Sequence, residues 1–416
     1  MKTSTRTFVF VLLLAVGLLA CGGSGPAEEP VRETEDLRTK ADRLAQEMLI
    51  VDTHIDVPYR MTAGLEDISV ATEKGDFDYP RAQQGGLDSP FMSIYIPASY
   101  QTDGGAKDFA DELIDMVEGF TTQWPEKFAL AASPDAVEAV AAEGKIALPM
   151  GMENGAPVEG SLENLRHFFE RGIRYITLTH SENNHICDSS YSEERQWNGL
   201  SPFGREVVAE MNRLGMMIDI SHVSDDTFYQ VMELSQAPVI ASHSSARRFT
   251  PEFERNMNDD MIRLLAENGG VIHINFGSAF LSAEAREKSQ ALWAAMRTYA
   301  EENGLSRGDT ELQEYLDHYR QENPPVFADI RDVVAHIEHV VGLVGVDHVG
   351  LGSDYDGVGD SLPTGLKDVA SYPNLIYELL QKGYSEEDVE KILSGNLMRV
   401  WRQVEETARS MQASAG

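Results

Sequence analysis

Seven ionisable side chains stand at the ends of short apolar runs: His54, Asp56, Glu153, His180, His222, His243 and Asp354. In His54-Ile55-Asp56 the two-residue alternation of an extended chain points an imidazole and a carboxylate the same way, which suits chelation of one cation. His222, in Ile218-Asp219-Ile220-Ser221-His222, and His243, in Val239-Ile240-Ala241-Ser242-His243, repeat one pattern, an apolar run closed by Ser-His. A single histidine ending a strand is more often a packed core residue. Two in consecutive units, facing one mouth, shift the reading to ligands. Glu153, in Gly151-Met152-Glu153-Asn154-Gly155, reads on its own equally as a loop carboxylate or helix cap. Between two cations, however, a carboxylate gives one oxygen to each. Two histidines, a third histidine, one Asp and one shared Glu supply a two-metal site about 3.5–4 Å across. That mix of donors suits zinc best, with manganese or cobalt as substitutes. Asp354, in Gly352-Ser353-Asp354-Tyr355-Asp356-Gly357, lacks the spacing of an EF-hand. A carboxylate there, beside an activated water, is placed to move a proton between nucleophile and leaving group. His180, closing Tyr175-Ile176-Thr177-Leu178-Thr179-His180, is left over after the five ligands; a donor there could stabilise an oxyanion, but spacing alone does not assign that role.

The elements that must position these residues repeat one theme, a short apolar run, a polar loop and a stretch of helical periodicity. Eight runs qualify, at residues 48–53, 91–96, 146–152, 173–179, 216–221, 238–242, 270–275 and 348–353. Each is nearly continuous in apolar residues, as strands of a parallel sheet covered on both faces should be. Helical periodicity lies between them at 106–123, 162–171, 202–213, 225–234 and 258–267. The alternation predicts an α/β fold, a (β/α)8 barrel of the TIM type, whose strand ends converge on the face where such barrels keep their active sites. Residues 55–90 read as a long first loop, and 281–325 as a helical insertion before the last strand (283–303, then 310–321), closed by Pro324-Pro325. Residues 372–382 and 385–402 read as helices that close over the barrel. His273 falls inside a strand, His167, His318, His336 and His339 on helices, and His185 and His348 on loops or strand edges; these take structural roles. Nucleotide-binding glycine loops, a serine-hydrolase elbow and the H-E-x-x-H helix are missing.

Composition bounds the partners. The 416 residues carry 34 Lys+Arg against 68 Asp+Glu, a formal charge of −34, which repels a phosphate backbone and excludes nucleic acid. Acidic surfaces with 24 Arg to 10 Lys are one route to solubility in high salt, and ordinary secreted proteins can also be acidic. Residues 1–20 read as a targeting segment, with Lys2 and Arg6 ahead of an apolar run too short to span a bilayer comfortably. The run ends Leu18-Leu19-Ala20-Cys21, like a bacterial lipoprotein signal in which Cys21 is acylated, and 21–36 then form a flexible tether. Residues 37–416 are left as a single barrel domain, with Cys187 lacking an internal partner. The location expected is extracytoplasmic, lipid-anchored to a bacterial membrane, the outer membrane or periplasmic face favoured.

Taken together, Val51-Asp52-Thr53-His54-Ile55-Asp56, Gly151-Met152-Glu153-Asn154-Gly155, Leu178-Thr179-His180, Ile220-Ser221-His222, Ser242-His243-Ser244-Ser245, Arg255-Asn256 and Gly352-Ser353-Asp354-Tyr355-Asp356-Gly357 resemble the membrane dipeptidase (renal dipeptidase) family. The likeness continues through Gly365-Leu366-Lys367-Asp368-Val369 and Gly395-Asn396-Leu397-Met398-Arg399-Val400. It implies a barrel of the metal-dependent hydrolase kind with two zinc ions, hydrolysing dipeptides, including those with a C-terminal D-residue, by a metal-bridging hydroxide. By the same resemblance His54 and Asp56 bind one zinc, His222 and His243 the other, and Glu153 bridges. His180 contacts the substrate near its scissile carbonyl, Arg255 faces the substrate carboxylate and Asp354 is the acid/base. The run Asn154-Gly155-Ala156 after the bridging Glu, Phe280 in place of an expected Tyr, the solitary Cys187 and the size of the 281–325 insertion depart from the family pattern. They bear on substrate preference more than on reaction class. The implied partners are small dipeptides and a membrane reached through the N-terminal lipid, with a homodimer admitted but not required. The alternatives are another binuclear-metal amidohydrolase, acting on N-acyl-D-amino acids or lactones, and a non-catalytic peptide-binding lipoprotein.

Overall fold

A computed structural model describes residues 35–306 and 308–415; the signal segment and Cys21 lie outside them. Ten strands follow in chain order: β1 (Val51–Ile55), β2 (Ser89–Tyr95), β3 (Phe128–Leu130), β4 (Ile146–Leu148), β5 (Met150–Glu153), β6 (Ile173–Thr177), β7 (Met217–Asp219), β8 (Ile240–Ser244), β9 (Val271–Ile274) and β10 (Val349–Leu351). Eight of them form one sheet in the order β1-β2-β5-β6-β7-β8-β9-β10, every neighbouring pair parallel. The predicted (β/α)8 barrel is therefore present. Its strands are buried on both faces, which accounts for their unbroken apolar character.

The seam between the first and last strands closes at their carboxyl ends. Asp354 N donates to His54 O at 3.0 Å and Asp56 N to Tyr355 O at 2.9 Å. Asp52, buried inside β1, accepts from His54 N and Ser353 N, both at 3.0 Å, and from the Tyr372 hydroxyl at 2.6 Å. One carboxylate thus ties β1 to the turn after β10. The opposite end is plugged by the terminal helix Asn396–Ala415. Its Leu397, Met398, Val400, Trp401 and Val404 pack on Val51, Phe91, Tyr175, Met217, Ile240 and Val271 at the starts and floors of the strands.

Three boundaries differ from expectation. The run 146–152 is two strands, because Pro149 has no N–H to carry the ladder on; β4 pairs with β3 in a separate two-stranded sheet while β5 enters the barrel. The first loop holds two short helices, Val57–Thr62 and Tyr79–Gly85, each with a proline in its first turn, the second also capped by the Asp78 carboxylate. The helix expected over 385–402 is Glu386–Glu390, a wider π turn Lys391–Gly395, and the terminal helix. The insertion forms as read, with helices Ala283–Asn303 and Thr310–Glu322.

Candidate active site

All seven predicted residues come together at the carboxyl end of the barrel, around Glu153. This side chain leaves the end of β5, and its two oxygens face different partners. Oε1 lies 3.0 Å from His222 Nε2 and 3.2 Å from His243 Nε2, while Oε2 lies 3.4 Å from His54 Nε2. His54 Nε2 is also 3.4 Å from Asp56 Oδ2, and His180 Nε2 is 3.6 Å from Glu153 Oε1. Three groups of donor atoms are close enough to share an ion: His54, Glu153 and His243; Glu153, His180 and His222; His54, Asp56 and Asp354.

The charge state follows from this crowding. Burial opposes ionisation of Glu153, but His54 and His180, with hydrogen bonds from His222 and His243, outweigh it and hold the carboxyl well below its usual range. Burial also keeps His222 and His243 neutral, with Arg255 adding to the effect; His243 is pushed down to about 3. Neutral imidazoles beside a carboxylate are the donor form a cation needs. Burial disfavours the His54 cation too, yet Tyr175, Asp56 and Glu153 raise its pKa well above the ordinary value. The buried Nε2 of His54 and Oδ1 of Asp56 have no hydrogen-bond partner. Polar atoms buried without a partner are costly, and here both belong to side chains that a cation between them would satisfy. The residues present fit a metal site.

Backbone strain collects at the same place. His222 has φ 69° and Asp354 φ 63°, and Asn154, directly after Glu153, has φ 80°. Side-chain-bearing residues held in the left-handed region persist where the surroundings over-determine them. Two glycines make the packing feasible. A Cβ on Gly357 would stand 2.3 Å from both Asp354 Oδ1 and Asp56 Oδ2, and one on Gly151 would stand 1.9 Å from the Tyr175 ring.

That Tyr175 ring belongs to a supporting layer which the sequence reading missed. Its hydroxyl donates to Thr53 O at 2.8 Å and accepts a hydrogen bond from His54 Nδ1–H at 2.9 Å, aiming Nε2 at the centre. Asp219, inside β7, accepts from Ser221 N at 3.0 Å, Ser242 N at 2.8 Å, Ser242 Oγ at 2.6 Å and the Thr177 hydroxyl. The Ser242 hydroxyl in turn meets His243 Nδ1 at 2.7 Å. Asn275 Nδ2 donates to Asp354 Oδ2 at 2.7 Å. Asp52 and Asp219 did leave a signal, an acid inside an otherwise apolar strand just ahead of a histidine. Tyr175, Asn275 and the mouth residue Tyr191, whose ring lies 5.9 Å from that of His222, left none.

Asp354 and Arg255 complete the pocket. Burial raises the Asp354 carboxyl to about 7, reinforced by Asp56 and Glu153 and opposed by His54. Arg255 is 2% exposed, held by Ser244 Oγ at 2.7 Å and His243 O at 2.8 Å. Its Nε is buried with no partner. A buried guanidinium held only by neutral oxygens keeps its charge uncompensated. Elsewhere, Cys187 is buried and forms no disulfide among the described residues, and His273 and His336 are buried against backbone carbonyls away from the centre.

The model of the membrane dipeptidase family, peptidase family M19, matches residues 38–415. Dipeptidase 3 of Mus musculus is 34% identical over 379 residues, covering 89% of this chain and 67% of the mouse protein. The crystal structure of the probable dipeptidase PvdM from Pseudomonas aeruginosa superposes with a TM-score of 0.77 at 28% identity, covering 89% of this chain and 99% of that one. A metallo peptidase from Rhodobacter sphaeroides shares the fold at TM-score 0.70 and 24% identity, covering 86% of this chain and 99% of its own.

Proposed function

The chain belongs to the membrane dipeptidase family, is therefore a metallodipeptidase and a hydrolase, and on that premise we propose that it cleaves free dipeptides, including those with a C-terminal D-residue, with two zinc ions. His54 and Asp56 would hold one ion, His222 and His243 the other, and Glu153 would serve both. The observation that carries this assignment is the division of the Glu153 oxygens, one toward His222 and His243 and one toward His54. A zinc pair in that cradle lowers the pKa of water toward neutrality and polarises a carbonyl.

The chain's own groups do the rest. Arg255 offers its buried, unpartnered Nε to the substrate carboxylate. His180, kept neutral chiefly by burial, donates one N–H to the carbonyl oxygen as charge develops there. Asp354, oriented by Asn275 and with its carboxyl raised to about 7, accepts the proton of the attacking water and returns it to the departing amine nitrogen. With Arg255 taking the main-chain carboxylate, substrates with a free C-terminus are selected. No described helix is long and apolar enough to cross a membrane; attachment through the acylated Cys21, outside the cytoplasm, supplies the membrane link in this reading.

The test is amino-acid release from L-Ala–D-Ala by zinc-loaded full chain, with a metal-stripped control and the N-acetylated dipeptide alongside. Zinc-dependent cleavage of the free dipeptide alone is expected. Preferential cleavage of the acetylated compound overturns the reading in favour of an acylase. No cleavage by protein shown to hold zinc overturns the proposed substrate.

A further inference from the structure

The insertion that departs most from the family pattern brings one charged group to the site. Arg286 lies in the first turns of the helix Ala283–Asn303, which is capped by Ser282. Its guanidinium carbon stands 3.3 Å from the centre of the Phe253 ring. Among the described residues no carboxylate acts on it; burial lowers its pKa and Tyr191 alone raises it. In a chain with twice as many acids as bases, 68 against 34, a half-buried arginine left without an acid is anomalous. Its position adds a second cost, because a cation near a helix N-terminus opposes the dipole. The Phe253 face recovers part of this through a cation–π contact. An anion would recover more.

The ring that Arg286 covers belongs to a wall leading into the catalytic centre. Phe253 packs on Phe280 with 5.7 Å between ring centres, and the Arg255 guanidinium lies 5.3 Å from the Phe280 centre. Each ring of this pair therefore has one arginine near it, Arg286 at Phe253 and Arg255 at Phe280. Phe253 also meets Tyr191 edge-on at 6.1 Å, and Tyr191 reaches His222 at 5.9 Å. Tyr191 is 44% exposed, so this wall opens to solvent. Arg286 therefore stands on the same aromatic wall, one ring from Tyr191 and two from His222.

We propose that Arg286 is a specificity-determining residue that binds a carboxylate on the side chain of the substrate's C-terminal residue, so that dipeptides ending in Asp or Glu are preferred over their amide isosteres. The assignment rests on the dipeptidase reading above, in which Arg255 takes the main-chain carboxylate. The Arg286 guanidinium, on the neighbouring ring of that pair, is then the next cation along the wall for the side chain of that same residue. Phe280 offers no hydroxyl to compete.

The experiment compares kcat/KM for L-Ala–L-Glu and L-Ala–L-Gln with zinc-loaded full chain, and repeats both with Arg286→Met, which keeps an apolar stem on Phe253. A charge-assisted contact predicts a Glu/Gln ratio of about tenfold in the natural chain, falling to about one in the variant. A ratio at or below one in the natural chain, or a loss in Arg286→Met shared equally by both substrates, overturns the proposal; the latter marks a structural role. Calorimetric binding of free L-Glu against L-Gln gives a readout independent of turnover. Preference for L-Glu that Arg286→Met abolishes supports the carboxylate subsite even if no dipeptide is cleaved, in which case the dipeptidase reading alone fails. Equal binding of Glu and Gln, with dipeptides cleaved normally, removes the subsite and leaves the dipeptidase standing.

Discussion

Burial and pairing act on Glu153 in opposite directions: desolvation favours its neutral acid, while His54, His180, His222 and His243 hold it ionised. At Asp354 the balance falls the other way, since burial, Asp56 and Glu153 together raise the carboxyl to about 7. Two carboxyl groups in one pocket are thus driven to different protonation behaviour, one a permanent anion for cations to share and one poised to exchange a proton near neutral pH. Asp354→Asn keeps an oxygen for Asn275 but cannot accept a proton. It should lower kcat by about 10²–10⁴-fold with zinc content unchanged by metal analysis. A rate within threefold of the natural chain would sink the acid/base role, and loss of one zinc would recast Asp354 as a ligand. Tyr175 tests the supporting layer. Because its hydroxyl is committed to Thr53 O, it fixes the proton of His54 on Nδ1. Tyr175→Phe should weaken zinc binding by about 10–100-fold, read by competition with a chelator, and unchanged affinity would show that the histidine needs no such orientation.

Among the elements, short apolar runs were enough to locate every barrel strand, and the ionisable residues that close six of them located the cluster at its mouth. That pattern works because a parallel strand buried on both faces must be apolar until it emerges, and in this fold it emerges at the site. Contacts across the barrel were not legible. Tyr175 meets His54 over 121 positions and Asn275 meets Asp354 over 79, and nothing local marks them. The helix Ile330–Val344 was missed because its paired valines, Val333-Val334 and Val340-Val341, favour strand locally, and only burial of one face settles it as helix. Pro149 was passed over inside a run otherwise continuous, although a proline there argues for two strands. The joint at Asp88 shows what such junctions cost. Asp88 precedes β2, accepts from Ile50 N at 2.9 Å and, through its carbonyl, from Ala147 N at 2.8 Å. Burial, opposed only by the Ile50 hydrogen bond, raises its carboxyl to about 6 from 3.8. A carboxyl whose pKa is higher in the folded state destabilises that state when ionised. The cost is full above about pH 6 and vanishes below about pH 4, where the unfolded chain is protonated too. Asp88→Asn keeps the acceptor and removes the charge. It should raise stability at pH 8 by at most about 3 kcal/mol, with the gain lost by pH 4, and denaturant melts at both pH values would show it. A gain independent of pH would point to packing instead.

For the molecule as a whole, the excess of 34 acids over bases sets a field that local pairs only partly offset. Arg171 is shared by Asp111, Asp115 and Glu118, and Glu210 is clasped by Arg166 and Arg213, so several bases are already spent on clusters of acids. Exposed pairs of this kind contribute about 0–1 kcal/mol each, and the remaining carboxylates repel one another over the surface. The Debye length falls from about 30 Å at 0.01 M salt to about 8 Å at 0.15 M and 3 Å at 1 M. Repulsion between scattered acids acts over longer distances than the ion pairs do, so screening should remove repulsion first. The zinc-loaded protein is therefore expected to gain thermal stability as sodium chloride rises from 10 mM to 0.5 M, most of the change coming below 0.2 M. A midpoint that stays flat or falls would mean that the arginine clusters, not the excess acids, dominate the surface. The same field bears on the site. Substrates with a net negative charge approach against it, and Arg255 and Arg286 attract them only at short range. Salt should accordingly raise kcat/KM for L-Ala–L-Glu more than for L-Ala–L-Gln at low ionic strength, because only the first is repelled on approach. The opposite order, with salt weakening the glutamyl substrate from the start, would show that the two arginines govern the field at the mouth as well as the contact within it.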